Sequence, residues 1–190
     1  LYPSEDLYPS EMSADAVDFS IEDDQIVTDS LAITESLCSD EDLSFGSCEA
    51  ARFEITVTGL TQSISGREFM ATESFGGYNI ILGLFKVEST PKQEDKNTRK
   101  IIAYDRMQRF DVDVSGWYNA LSFPMTLKAF RKSLCSFVGV REENAVLVND
   151  EMQVEKTINP TALKGREVLQ QICQINGVFG NINKNGELRY

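Results

Sequence analysis

The stretch GREVLQQICQINGVFGNINKNGELRY, residues 165–190, spells out a helix, its stop signal and a β-hairpin. From Glu167 the apolar residues fall at Val168, Leu169, Ile172, Cys173 and Ile175, the one-face spacing of an amphipathic helix. Gly177 stands where a left-handed C-cap belongs. A strand, a turn and a strand follow. A two-residue Asn185-Gly186 turn would set Ile182 opposite Arg189 and mix apolar with polar groups on both faces. A three-residue loop, Lys184-Asn185-Gly186 with Gly186 left-handed in a bulge, sets Ile182 opposite Leu188 and Gly180 opposite Tyr190 on one surface. That surface needs a cover, and the preceding helix is the nearest candidate. The stretch carries packing rather than chemistry, and it breaks off as an excerpt of a longer chain would.

The same pattern occurs once before. Leu127, Phe130, Leu134, Phe137 and Val138 recur at helical spacing, with Thr126 placed to cap the start and Gly139 the end. Phe130 to Val140 matches Val168 to Val178 in type and spacing, an echo that either an internal repeat or two independent Gly-capped helices would produce. Strands are expected between them at Ala145–Val148 and Met152–Val154, joined by a turn at Asn149-Asp150. Helix, strands, helix and hairpin describe a two-layer α+β unit with both helices on one sheet face.

Upstream the period changes from 3.6 to two. Phe53, Ile55 and Val57 alternate with polar residues in RFEITV, and further strands are expected at Ile26–Thr28, around Leu31 and Ile33, at Ser36-Leu37, and over Glu68–Thr72, Asn79–Ser89 and Lys100–Tyr104. Turn clusters at Ser63–Gly66, Gly76-Gly77 and Pro91–Asn97 separate them. Short strands at this spacing predict a small sandwich or barrel, with a hairpin from Val87 to Ile101 that has a long exposed tip. The expected organisation is an extended arm over 1–28, a β-rich unit over 29–116 and an α+β unit over 120–190.

The arm opens on a tandem repeat, LYPSE at 1–5 and again at 7–11, whose prolines favour extended geometry and whose Leu1, Tyr2, Leu7 and Tyr8 recur every six residues as candidate interface anchors. Charge separates this end from the rest. Residues 1–50 hold fourteen carboxylates and no Lys or Arg, whereas the remaining residues carry 18 basic and 16 acidic groups. An acidic segment is repelled by phosphate backbones and anionic lipid, so neither nucleic acid nor membrane is an expected partner for it. It is either a solvated arm or one that docks on a basic neighbour. The longest apolar run, Ile80–Phe85, is far short of a membrane span, and a secretory leader is not recognisable at the start.

Catalytic chemistry finds little to work with. The chain has no histidine, which removes the commonest general base and the commonest zinc nitrogen ligand. Cys38, Cys48, Cys135 and Cys173 form no CxxC pair and read as buried thiols. Carboxylate clusters at Asp23-Asp24, Asp40-Glu41-Asp42 and Glu142-Glu143 read as solvated loop surface, and no EF-hand or phosphate-binding loop is present. Ser47 in FGSCEA lacks the GxSxG elbow. Lys128, Arg131 and Lys132 line the polar side of the first helix, as a solvated face. Tyr2, Tyr8, Trp117 and Tyr118 suit either sugar stacking or the anchoring of an arm or junction. No catalytic residue, metal ligand or cofactor site is expected.

Several phrases in order, LYPSEDLYPSE, LSFGSCEAARFEITV from Leu43, ILGLFKVEST from Ile81, KIIAYDRMQRFDVDVS from Lys100 and the closing GREVLQQICQINGVFGNINKNGELRY, resemble the amino-terminal portion of tail-tip or baseplate-hub proteins of long-tailed phages and of prophages of gut Firmicutes. The resemblance spans nearly the whole chain. It implies a β-barrel hub domain followed by a small α+β domain, a trimeric ring at the distal end of the tail, other tail proteins as partners, and a place in the virion after assembly in the bacterial cytoplasm. It also implies a continuation beyond Tyr190, where some members carry a cell-wall-degrading or receptor-binding portion. A structural role is expected first. A carbohydrate- or peptide-binding module stands second and a peptidoglycan hydrolase third.

Overall fold

A computed structural model describes residues 19–38, 43–93 and 97–190. Leu1, Tyr2, Leu7 and Tyr8 of the arm and the Asp40-Glu41-Asp42 cluster lie outside the described residues.

The first half is one antiparallel sheet of five strands, β1 (Ala32–Thr34), β2 (Arg52–Thr58), β3 (Glu68–Phe75), β4 (Tyr78–Ser89) and β5 (Thr98–Tyr104), in the order β1-β2-β5-β4-β3. Its alternation is the one the sequence predicts: Phe53, Ile55 and Val57 point inward and lie beside Ala103 and Ile101 of the paired strand. With Ile64, Phe85 and Val87 they form a continuous apolar cluster. The rings of Phe53, Phe69 and Phe85 meet at centroid distances of 5.1 to 6.1 Å. Burying each of these large side chains contributes roughly 1.5–3 kcal/mol, enough to curl the sheet around its own apolar face. The result is a half-barrel, open between β1 and β3. Ile26 makes a single bridge to Val57 rather than a strand, and Ser36-Leu37 is not a strand. The Val87–Ile101 hairpin is formed, extended by a bridge between Lys92 and Arg99.

A 3₁₀ helix, Arg106–Asp111, leads into the α+β half: α1 (Ser115–Ala120), β6 (Met125–Thr126), α2 (Leu127–Val138), β7 (Gln153–Val154), α3 (Gly165–Asn176), β8 (Asn181–Ile182) and β9 (Leu188–Arg189). The Thr126 hydroxyl accepts the Ala129 N–H at 3.2 Å and so caps α2. The sequence echo is an echo of structure. Gly139 and Gly177 are both left-handed, and the Val140 and Val178 N–H groups reach back to the Cys135 and Cys173 carbonyls at 2.9 and 3.0 Å, the same helix closure twice. Val168, Leu169, Ile172 and Cys173 of α3 face Leu127, Phe130, Leu134 and Cys135 of α2 in a second apolar cluster, joined by Leu188.

The closing hairpin takes the three-residue register. Ile182 pairs with Leu188, Asn181 with Arg189, and Gly186 has φ +78°. The Asn183 carbonyl accepts the Gly186 N–H at 2.9 Å, closing the turn before the bulge.

Two local expectations are corrected. Ala145–Val148 is not a strand, and Val146 and Val148 are 86% and 90% exposed. Its alternation has no neighbouring strand to pair with, and the chain instead turns around the Asp150 carboxylate, which accepts the Leu147 N–H at 3.1 Å. Phe137 and Ile175, on the margins of the two helical stripes, are exposed because each helix buries a narrower face than its apolar residues allow. The segment before β2 does not belong wholly to the sheet: Cys48 is buried in the helical cluster, and Gly46 and Ser47 exchange backbone hydrogen bonds with Val178 and Gly180 at 2.9 and 3.1 Å.

Candidate assembly surface

Arg131, read from sequence as part of a solvated face, is fully buried, whereas Lys132 beside it is exposed. Its Nε and Nη2 donate to the two Asp150 oxygens at 2.9 and 3.0 Å, Nη2 also reaches the Ala145 carbonyl at 3.0 Å, and Nη1 forms an ion pair with Glu142. The Tyr190 hydroxyl donates to Glu142 at 2.7 Å, and its ring lies 5.6 Å from the guanidinium. Glu142 is therefore a core carboxylate and not solvated loop surface. Burial works against the Arg131 cation, but its hydrogen bonds to Asp150 and Glu142 more than reverse this and raise its pKa. The Asp150 carboxyl is held below its usual range chiefly by its hydrogen bond from Arg131. Every charge in the group is satisfied from within, so the group fixes a shape and offers nothing to a substrate.

A second charged group joins the two halves. Glu68, at the start of β3, accepts from Arg106 Nε and Nη2 at 2.9 and 2.8 Å and from Arg109 at 3.2 Å, while Arg109 also donates to the Gly139 carbonyl at 2.6 Å. Burial opposes the Glu68 charge, yet the two arginines hold its pKa below the usual carboxylate range. A cleft of about 400 Å³ opens beside them, lined by Lys86, Arg106, Arg109, Asp111 and the exposed Phe137. Its arginines are consumed by carboxylates, and Arg166 holds Asp111 at 2.6 Å. Among the described residues, no group of three or more His, Cys, Asp or Glu is placed to hold a metal ion, and no helix is long and apolar enough to cross a membrane.

Trp117 and Tyr118 are half-buried and pack against the helical core. Trp117 donates its indole N–H to the Ser133 hydroxyl at 3.0 Å and stacks near Phe130 and Phe137, while Tyr118 packs on Phe123 and Phe130. The rings that do face solvent are ones the sequence reading passed over. β4 is twelve residues long, but β5 pairs with it only at Lys86, Val87 and Ser89, so its first half is bonded to β3 alone. A bulge opposite Ala71 and Thr72 leaves Leu82 unpaired, and beyond it the ladder Thr72–Ile81, Glu73–Ile80, Ser74–Asn79 and Phe75–Tyr78 projects past the sheet. Gly76 and Gly77, at φ +59° and +83°, close it as a two-residue type I′ turn, which β-carbons would disfavour at both positions. Phe75 and Tyr78 flank that turn at 75% and 77% exposure, with Ile80 and Glu73 on the same face. Among the described residues, the outer edge of β3 has no strand partner. Phe19, the first described residue, packs edge-on against Phe69 of that strand at 6.5 Å.

A projecting hairpin with an aromatic tip next to an open strand edge has the exposed apolar area and unpaired backbone groups that suit protein contact. The 43 kDa tail protein of prophage MuSo2 from Shewanella oneidensis superposes on this chain with a TM-score of 0.52 at 15% identity, over 76% of this chain and 46% of that one. The chain shares its fold with a prophage tail protein. The tail protein from Neisseria meningitidis MC58 aligns at a TM-score of 0.46 and 14% identity, over 73% of this chain and 41% of that one. The chain spans less than half the length of either protein. No protein-family model and no curated protein matches the sequence.

Proposed function

We propose that the chain is a structural component of a phage or prophage tail, working at the tail tip or baseplate hub through contacts with other tail proteins and with copies of itself in a trimeric ring. The fold shared with a tail protein supports the setting. The observation that carries a contact role is the β3–β4 hairpin, which leaves Phe75 and Tyr78 in solvent beside an unpaired strand edge. Exposed rings on a rigid two-stranded arm lose little conformational entropy on docking, which suits an assembly contact. In this reading the LYPSE arm adds a second contact, with Leu1, Tyr2, Leu7 and Tyr8 seated on a neighbouring tail protein. The chain is not an enzyme; it is assembled in the bacterial cytoplasm and works in the virion tail.

A carbohydrate- or peptide-binding module is favoured by the same two rings, which present flat apolar faces of the kind that stack on sugars. One experiment separates the readings. Particles carrying Phe75→Ser and Tyr78→Ser together lack this protein if the hairpin is an assembly contact. If the rings bind glycan, the particles keep the protein and lose adsorption to host cell-wall polysaccharide.

A further inference from the structure

Cys48 and Cys173 lie 125 residues apart in sequence, one in the loop before β2 and one in the last turn of α3, yet their sulfurs stand 3.7 Å from each other. Both side chains are fully buried. They converge over Gly180, where an added β-carbon would lie 2.8 Å from the Cys48 sulfur and 3.2 Å from that of Cys173, so the glycine keeps the space in which the two thiols meet. We propose that Cys48 and Cys173 are a disulfide-forming pair, oxidised by a low-molecular-weight disulfide such as oxidised glutathione, and that the bond fastens the 43–50 loop to α3. This inference does not depend on the tail reading.

The two thiols are chemically unequal. The hydrogen bond shared with Cys173 lowers the Cys48 pKa, burial opposes this, and the Gly180 N–H and the nearby Arg166 guanidinium add to the lowering. Cys173 is pushed the other way by that hydrogen bond to Cys48 and by burial. Arg166 Nη1 donates to the Cys48 carbonyl at 2.7 Å, and this cation beside Cys48 favours it as the attacking thiolate. It attacks one sulfur of glutathione disulfide, forming a mixed disulfide and releasing one glutathione thiolate. Cys173 then gives up its proton and attacks the Cys48 sulfur, displacing the second glutathione. Two protein thiols are oxidised to one disulfide, and one glutathione disulfide is reduced to two thiols. Access requires the loop to lift, which breaks the Gly46–Val178, Ser47–Gly180 and Arg166–Cys48 hydrogen bonds and the Phe45–Phe179 contact at 5.2 Å and withdraws Cys48 from the core, while Leu43 and Phe45 are already exposed.

The test uses the full chain in glutathione buffers of increasing oxidation, once on the folded protein and once during refolding from denaturant, followed by alkylation under denaturing conditions and non-reducing peptide mapping. The expected product is lighter by two hydrogens, joins the Cys48 and Cys173 peptides, leaves Cys38 and Cys135 alkylated, and melts about 5 °C or more above the reduced protein. Cys173→Ser should stop at the glutathione adduct on Cys48. A bond formed only in the refolding arm supports the pairing and shows that burial controls its rate. Cys48 and Cys173 both alkylated in the two arms, a bond to Cys38 or Cys135 instead, or a bond that lowers the melting temperature would each overturn the proposal.

Discussion

Arg131 and Asp150 meet in the core of the helical half through two parallel hydrogen bonds of 2.9 and 3.0 Å, nineteen residues apart in sequence. The pair ties α2 to the loop that returns toward β7, and Glu142, earlier in the same loop, and Tyr190, the last residue, complete it. A fork of donors facing a carboxylate fits only one relative position of the two segments, so the pair sets where the loop lies.

Removing the cation leaves the Asp150 and Glu142 carboxylates buried without a counter-charge, with only the Leu147 N–H and the Tyr190 hydroxyl donating to them. Arg131→Ala should therefore destabilise the protein by about 3–5 kcal/mol, and Arg131→Lys, which keeps the charge but loses the fork, by less. Urea denaturation of the two variants measures the difference. Equal stability of Arg131→Ala and the parent would show that the guanidinium is solvated.

Asp105 gives the protein a pH dependence of its own. The carboxylate is buried and accepts the Ala51 and Met107 N–H groups at 2.9 Å each, and burial raises its pKa to about 6. Because the folded state holds this proton more tightly than the unfolded state, its contribution is complete below about pH 4 and is lost as pH rises through about 6, a change of roughly 3 kcal/mol. Asp150, shifted the other way, contributes above the ordinary aspartate range and loses its contribution as pH falls. Stability curves from pH 4 to 7 should show a decline in the parent that is missing in Asp105→Asn. Parallel curves would remove Asp105 as its source.

Gly186 is fixed by its turn and by its neighbours. At φ +78° its added β-carbon would lie 2.8 Å from Leu84 of the sheet and 3.1 Å from Arg106. Gly186→Val therefore combines backbone strain with a clash at the junction of the two halves and should cost about 2 kcal/mol or more. Thermal melts check this beside Gly186→Ala, which brings the β-carbon alone and should cost less than Val; a Gly186→Val variant as stable as the parent would contradict the turn geometry.

The hairpin tip should be free of any role in stability. Phe75 and Tyr78 touch solvent, so Phe75→Ser with Tyr78→Ser should leave the unfolding free energy within about 0.5 kcal/mol. A large loss would mean that the rings pack within the monomer and are not a contact surface.

What the sequence disclosed was what local periodicity encodes. The inward set Phe53, Ile55 and Val57, the two Gly-capped helices and the Ile182–Leu188 register each follow from a few neighbouring residues, and the structure has all three. Arg131 was misread because helical position alone places it on the polar side, whereas the carboxylates that draw it inward come from Glu142 and Asp150 on later loops. The strand expected at Ala145–Val148 failed for a related reason, since alternation makes a strand only where another strand can pair. The projecting hairpin had a visible signal, a Gly-Gly turn flanked by Phe75 and Tyr78. Its exposure was hidden because it depends on where β5 stops pairing, a fact of the sheet and not of the hairpin.

Locating the chain in the particle tests the central claim most directly. Particles induced from the strain that encodes this sequence, imaged by electron cryomicroscopy, should show the five-stranded half-barrel and its helical companion at the distal end of the tail, in three-fold arrangement, with the Phe75–Tyr78 tip against a neighbouring subunit. Tails whose distal density is fully accounted for by other proteins would contradict a structural role in the tail.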